Sequence, residues 1–303
     1  MANWGHFLLT VFAIIGIVVV IAAILGGYLM EHGPLLVLVQ PAELLIILGA
    51  SLGTMLIGTP FPTLKRLLKG LAGVFRGDPQ DSAFYLENLQ MLYQLFVHAR
   101  KSGLNALEPD VDEPEKSPVF SNYPTFLSNH HAVHFVCDTM RMFITGGIDP
   151  FELDQMMELD MDIHHQEEHD PVAALHTTAD ALPGLGIVAA VLGVVITMGA
   201  LGGPPEEIGR KVAAALVGTF VGILMCYGFF GPMASRMARN IDAEARYYHV
   251  MRVGMLAFIK GSSPMLSVEF ARRAVPSAVR PKFAEMESTC KAGGSAKPAS
   301  VAA

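Results

Sequence analysis

ALPGLGIVAAVLGVVITMGALGG, from Ala181 to Gly203, is uncharged throughout, carries a proline near its start and is rich in Gly and Ala. At ~1.5 Å per residue about twenty apolar residues cross a hydrocarbon core, and Leu182 to Leu201 supplies that length. Ala189 and Gly193 lie four apart, so a neighbouring backbone can approach closely on that face, which is how helices associate where lipid removes the hydrophobic drive. The stretch reads as a membrane helix built to pack on other helices, not as a lipid-facing anchor. Its companion runs from Val212 to Met233, again uncharged, with Gly218 and Gly222 at the same spacing, Thr219 between them and Pro232 at the close. A proline in a membrane helix leaves a carbonyl without its donor, which is tolerated where a neighbour, a hydroxyl or a water satisfies it. Pro183 opens an outgoing helix and Pro232 closes a returning one, so both are expected near one membrane face.

Two further spans precede these. Phe7 to Met30 is uncharged and follows no Lys or Arg, which argues against a cleaved signal peptide. Leu35 to Ile57 follows a tight turn and offers Gly49 and Gly53 as another close-packing face. Gln40, Pro41 and Glu43 interrupt it early. An acid in a span is a functional candidate, and Glu43 is read as a proton-access residue, although its shallow position near the outer end also allows plain solvation. Lys65, Arg66, Lys69 and Arg76 follow the second span and Arg236 and Arg239 the fourth, which puts these regions and both termini in the cytoplasm. Arg210 and Lys211, in an outer turn, run against the rule but are outnumbered.

The composition agrees. Mean hydropathy is +0.43, and 52% hydrophobic against 16% charged residues lies beyond the soluble balance. A net charge of -7 gives no footing for nucleic acid. Cys137, Cys226 and Cys290 are odd in number and far apart, so neither a disulfide framework nor a zinc site is indicated. The fold class is therefore an all-α polytopic membrane protein, four transmembrane helices with a large helical cytoplasmic domain. Expected boundaries are 1–58 for the first two spans, 59–181 for the cytoplasmic insert, 182–233 for the last two spans, 234–291 for C-terminal helices and 292–303 for a disordered tail.

Within the insert, Asp78-Pro79 reads as an N-cap followed by a first-turn proline, and Leu86, Leu89, Tyr93 and Phe96 recur at helical spacing until Gly103. Glu108 to Pro124, with four prolines and many acids, reads as a loop. A second helix carries Phe126, Val133, Val136, Met140 and Phe143 and stops at Gly146-Gly147. A third opens at Asp149-Pro150 and presents Met156, Leu159 and Ile163. Past the last span a helix from Ala234 to Lys260 breaks at Gly261-Ser262-Ser263-Pro264, and a short amphipathic piece follows to Val275.

His165 and His169 lie one turn apart with Glu167 and Glu168 beside them, as metal ligands often do. The pattern is not His-Glu-x-x-His and the segment is acidic throughout, so a solvated charged face is preferred, as it is for His130 and His134. No phosphate loop, nucleophile elbow or cysteine site is present, so neither an enzyme nor a cofactor is expected. The three cleaner spans lack any ionisable group, so an ion path would need a titratable relay from a partner.

Four stretches together resemble the MotA family, the A subunits of bacterial flagellar motor stators: QPAELLIILGASLG at 40–53, LPGLGIVAAVLGVV at 182–195, VGTFVGILMCYGFFGP at 217–232, and VEFARRAV with RPKF at the end. The resemblance implies an inner-membrane protein that forms a ring of five around two MotB-like B subunits, whose helix bears the aspartate that carries the ion past Pro183 and Pro232. HARKSGLNALE at 98–108 resembles the rotor-facing segment, with Arg100 and Glu108 at its functional positions and the switch protein FliG as partner. Sodium-type relatives have Thr where this chain has Ala190. Thr219 matches a second family threonine but then faces no paired hydroxyl, so H+ is the expected ion. The rivals are an energiser similar to TolQ and ExbB, which have three spans and an outside N-terminus, a passive membrane scaffold, and a membrane metalloenzyme.

Overall fold

A computed structural model describes residues 3–75, 80–199 and 202–292, with side chains from residue 12 onward. No strand occurs among the described residues. The helices are α1 (Asn3–Met30), α2 (Pro41–Gly58), α3 (Phe61–Val74), α4 (Ser82–Ser102), α5 (Glu108–Asp112), α6 (Pro124–Leu127), α7 (His130–Thr145), α8 (Pro150–Met198), α9 (Pro205–Leu224), α10 (Gly231–Ile259), α11 (Pro264–Ala274) and α12 (Phe283–Ala292). Among the described residues four stretches are long and apolar enough to cross a membrane, at Phe12–Met30 and Leu35–Gly58 and within Pro150–Met198 and Pro205–Ile259. The chain forms two compact units, one from Asn3–Gly77 with Glu167–Ile241, the other from Asp78–Gln166 with Asp242–Ala303.

In the first unit the third span does not begin at Pro183. Pro171 and Pro183 both lie inside α8, a continuous helix of 49 residues and about 74 Å. A proline removes the donor to the carbonyl four residues back. At Pro171 that carbonyl belongs to Glu167, and the Arg66 guanidinium of α3 donates to it at 3.1 Å while also approaching the Glu167 carboxylate at 3.4 Å. A side chain thus mends one break in the ladder, which is why the helix passes through. α9 likewise does not stop at Pro232. It runs into a π-helical turn, Met225–Phe230, and the chain continues as α10 with Pro232 in its first turn. α3 packs Leu67 and Val74 against Val172, Leu175, Ala234 and Met237 and turns Lys65 and Lys69 outward.

The second unit is built on α4. The expected Asp78-Pro79 cap lies outside the described residues, and α4 is capped by Asp81, whose carboxylate accepts from the Phe84 amide at 2.8 Å. Its apolar face, Leu89, Leu92, Leu95 and Phe96, packs on α10 and α11, with Phe96 stacked on Phe258 at 4.3 Å. The Glu108–Pro124 stretch is more ordered than a loop. α5 and two 3-10 turns (Pro114–Lys116 and Phe120–Asn122) sit within it, and Ser117 donates to Asp110 at 2.6 Å while accepting from the Val119 and Phe120 amides. Val111, Phe120 and Tyr123 are buried, so apolar anchoring overrides the proline count. α8 opens at Pro150 and runs on through Met156, Leu159 and Ile163, leaving those three exposed and burying Leu153 and Met157. The break after α10 forms as expected, with Gly261 at φ +92, a backbone that favours glycine.

One titratable cluster lies in this core. His131 of α7 stacks on His164 of α8 at 3.5 Å between ring centroids, with the Tyr248 ring edge-on at 5.0 Å. The charged and titratable groups facing His131 are His164 and Asp160 from α8, Glu244 and Tyr248 from α10, and His134 on its own helix. Burial, and then the proximity of His164, lower the His131 pKa below its usual value of 6.5, and its Nε2 is buried without a hydrogen bond. The unfolded chain therefore takes up this proton more readily, so stability is full above pH 6.5 and declines as pH falls below it. Thermal unfolding between pH 7.5 and pH 5.5 is expected to show that decline. His131→Phe should flatten it, and an unchanged slope would clear His131 as its source.

Candidate ion-pathway site

Glu43 stands in the first turn of α2, which Pro41 starts after a 3-10 turn at Leu35–Leu38. The Gln40 side chain ties back to the Val37 carbonyl at 3.0 Å, so the turn that aims Glu43 is fixed locally. Its carboxyl reaches into the crossing of α8 and α9. A β-carbon placed on Gly218 falls 2.6 Å from Glu43 Oε2, and one on Gly193 falls 3.3 Å from Oε1. The same β-carbons would meet Ala189 Cβ at 3.1 Å and Ala215 Cβ at 2.7 Å. The small residues that let the two helices touch therefore also leave the slot that the carboxyl fills.

Of the two readings open for Glu43, plain solvation does not match the packing of the single chain. Only 8% of the residue is exposed and Oε2 has no hydrogen-bond partner. Gly218 lies six residues past Val212, which sets the carboxyl about 9 Å inside the apolar run. A buried carboxyl without a partner is costly, and such groups in spans mark ion or proton routes.

The other expected residues divide. Ala190 and Thr219 lie at the same crossing. The Ala190 amide nitrogen is 3.4 Å from the Gly218 β-position, and Thr219 Cα is 3.3 Å from that of Gly186. Pro183 is half-buried further along α8, next to Leu182, whose carbonyl lies 2.5 Å from the β-position of Gly222. Pro232 is exposed and lines a separate cleft with α1. Gly49 and Gly53, expected to be close-packed, have no atom within 4 Å of their β-positions, so that face of α2 is unpartnered in the single chain.

At the other end of α2, sixteen residues or about 24 Å from Glu43, a cleft of about 420 Å³ opens between α2, α3 and α8. Thr54, Thr59, Thr63, Thr177 and Asp170 line it, a polar contrast to the slot around Glu43. Sequence reading passed over Asp170. The signal available was an acid one residue before Pro171, at the edge of an apolar helix.

Arg100 and Glu108 belong to the second unit. Arg100, in the last turn of α4, donates to the carbonyls of Gly261 and Ser262 at 2.8 and 3.2 Å, so it ties down the α10–α11 turn. Glu108 is exposed at the start of α5. In the same unit His165 Nε2 lies 3.2 Å from Asp242 Oδ1, and the ligand atoms of His165, His169 and Asp242 all fall within 4.8 Å of one another, so the two histidines one turn apart are joined by a third possible donor.

Four apolar spans, two of them joined by glycine–backbone contact around a buried acid, define a helical membrane protein of ion-conducting type. Residues 14–103 match the family described as Motility protein A N-terminal, and residues 128–249 match the MotA/TolQ/ExbB proton channel family. Motility protein A of Escherichia coli (strain K12) is 37% identical over 279 residues, 92% of this chain and 95% of that protein. Chemotaxis protein LafT of Vibrio parahaemolyticus is 33% identical over 90% of this chain and 96% of its own length. The flagellar MotAB stator complex from Bacillus subtilis has a chain that superposes with a TM-score of 0.71 at 22% identity, covering 89% of this chain and 98% of that one, which shows the common fold. The chain belongs to the Motility protein A family, whose members are membrane channel subunits and not enzymes.

Proposed function

We infer that this chain is the A subunit of a proton-driven flagellar motor stator, a multi-pass protein of the bacterial inner membrane. The observation that carries the reading is Glu43, the one acid in the four apolar spans, held unpartnered in a slot between α8 and α9 in a chain of this family. One buried carboxyl gives a proton access but not a route across. A MotB-like B subunit supplies the second group, an aspartate on its helix, seated beside Pro183 and, by family resemblance, Pro232. Ala190 brings no oxygen to the crossing and Thr219 has no hydroxyl opposite it there, which favours H+ over sodium.

The proton passes Glu43, neutralises the B-subunit aspartate and leaves towards the cytoplasm by the cleft at Asp170. Each charge crossing ~100 mV releases about 2.3 kcal/mol, enough to bias a step between the A chains and the B helices. The lysines and arginines after the second and fourth spans favour cytoplasmic termini. A ring of five copies around a B dimer accounts for the apolar face of α8 left bare at Met156, Leu159 and Ile163 and for the open Gly49–Gly53 face. Glu108 is free to steer contact with FliG, while Arg100 acts there partly by holding the α10–α11 turn in place.

The test is complementation of a strain lacking its own stators by this chain and its B subunit, with swimming and proton uptake measured. Wild type should restore both. Glu43→Gln, equally abundant by blot, should lower both severalfold. No restoration by wild type would reject the stator reading, and full activity of the glutamine variant would remove Glu43 from the path.

A further inference from the structure

A second cleft, of about 310 Å³, opens between α1, the π-helical turn and the start of α10. Its length is apolar. Gly16 and Val20 line it on the α1 side and Gly228 on the π-helical side. A β-carbon on Gly16 would meet nothing within 4 Å, whereas one on Gly228 would lie 3.3 Å from Val20 Cγ1, so the groove closes at one end and widens at the other. At the wide end stand Phe75, Arg236 and Arg239, the residues that follow α3 and the fourth span. Among the described residues no acid lines the cleft, and Arg239, which is exposed, has no carboxylate partner.

We propose that this cleft binds one anionic phospholipid of the cytoplasmic leaflet, its acyl chain along Gly16 and Val20 and its phosphate between Arg236 and Arg239. Guanidinium groups are weakly hydrated and match phosphate oxygens, and basic pockets between spans on the cytoplasmic side take anionic headgroups in this way. A span of a second copy fits less well. The one acid in the spans is Glu43, held near the opposite end of α2, so no span offers a carboxylate to these arginines at this depth. The π-helical turn has a use here, since its extra residue per turn widens the helix where the groove runs.

The experiment uses the complex of this chain with its B subunit, extracted in mild detergent and titrated with phosphatidylglycerol or phosphatidylcholine. Retained lipid is counted by native mass spectrometry. Wild type should hold phosphatidylglycerol in preference. Arg239→Gln should hold it about fivefold more weakly, since an arginine near an anionic surface contributes about 1 kcal/mol. Gly16→Leu, which fills the acyl groove and leaves the charge, should lower retention as well. Equal retention of both lipids, or no loss in either variant, overturns the proposal. Competition by inorganic phosphate alone as strong as by the lipid would make this a simple anion site. Disulfide capture of Gly16→Cys by a second copy or by the B subunit in native membranes would assign the groove to protein.

Discussion

Gly222→Val is expected to remove the protein from the membrane. A β-carbon at 222 lies 2.5 Å from the Leu182 carbonyl oxygen and 3.0 Å from Gly186 Cα, and both are backbone atoms that cannot swing aside. Two branch methyls then force α8 and α9 apart. The separation also withdraws Ala215 from Gly193 and Gly218 from Ala189, so the crossing fails along its whole length. Overpacking a close contact costs about 1–3 kcal/mol even where side chains can adjust, and here the helices must move instead. Membrane abundance by blot and the melting temperature of the purified complex are the readouts, and both should fall well below wild type. Gly53→Ala is the control. Its β-position is open, so the single chain tolerates it, and any defect would point to a contact with another subunit. A Gly222→Val protein of normal abundance and melting temperature would mean that α8 and α9 do not meet as described.

The crossing was legible in the sequence because small residues four apart have one dominant use in a membrane, and Gly193, Gly218 and Gly222 all serve it. At Gly49 and Gly53 the single chain brings nothing to the face, since spacing tells that a face is built for contact but not which chain supplies the contact. Continuity was harder to read. Pro171 and Pro183 are helix breakers by local rule, and what carries α8 through the first is Arg66, 101 residues before the carbonyl it satisfies. No local pattern announces that pairing. The π-helical turn at Met225–Phe230 is equally silent, because an extra residue in a turn leaves an apolar run apolar. Met156, Leu159 and Ile163 have helical spacing, yet Leu153 and Met157 are the ones buried. Both stripes are apolar, and only the packed core distinguishes the inner one. For Glu43 the residue was legible and its depth was not. Depth depends on where α2 meets the other helices, and the 3-10 turn at Leu35–Leu38 starts α2 later than its apolar run begins.

Pro183→Leu separates the working role of a proline from its structural cost. The substitution restores an amide N–H to the Ala179 carbonyl and removes the ring clash, a change worth about 3 kcal/mol in a soluble helix interior. Leucine at 183 should therefore leave the protein at least as abundant as wild type, and α8 straighter. If proline served only to fold the chain, swimming would be unchanged or improved. The expected result is the opposite, with swimming and proton uptake both falling to the level of cells without the A subunit. The physical reason lies in what the proline leaves open. Proline at 183 cannot donate to the Ala179 carbonyl, in a residue buried within this chain, and on the proposed route the B-subunit aspartate would pass beside the local offset that Pro183 sets in α8. Closing the ladder takes away both. Loss of motility at normal abundance, with Gly184→Ala active beside it, would tie the defect to the missing proline and not to bulk. Normal swimming in Pro183→Leu would make the proline a tolerated kink, and the proton route would then have to be drawn through Glu43, Ala190 and Thr219 without it.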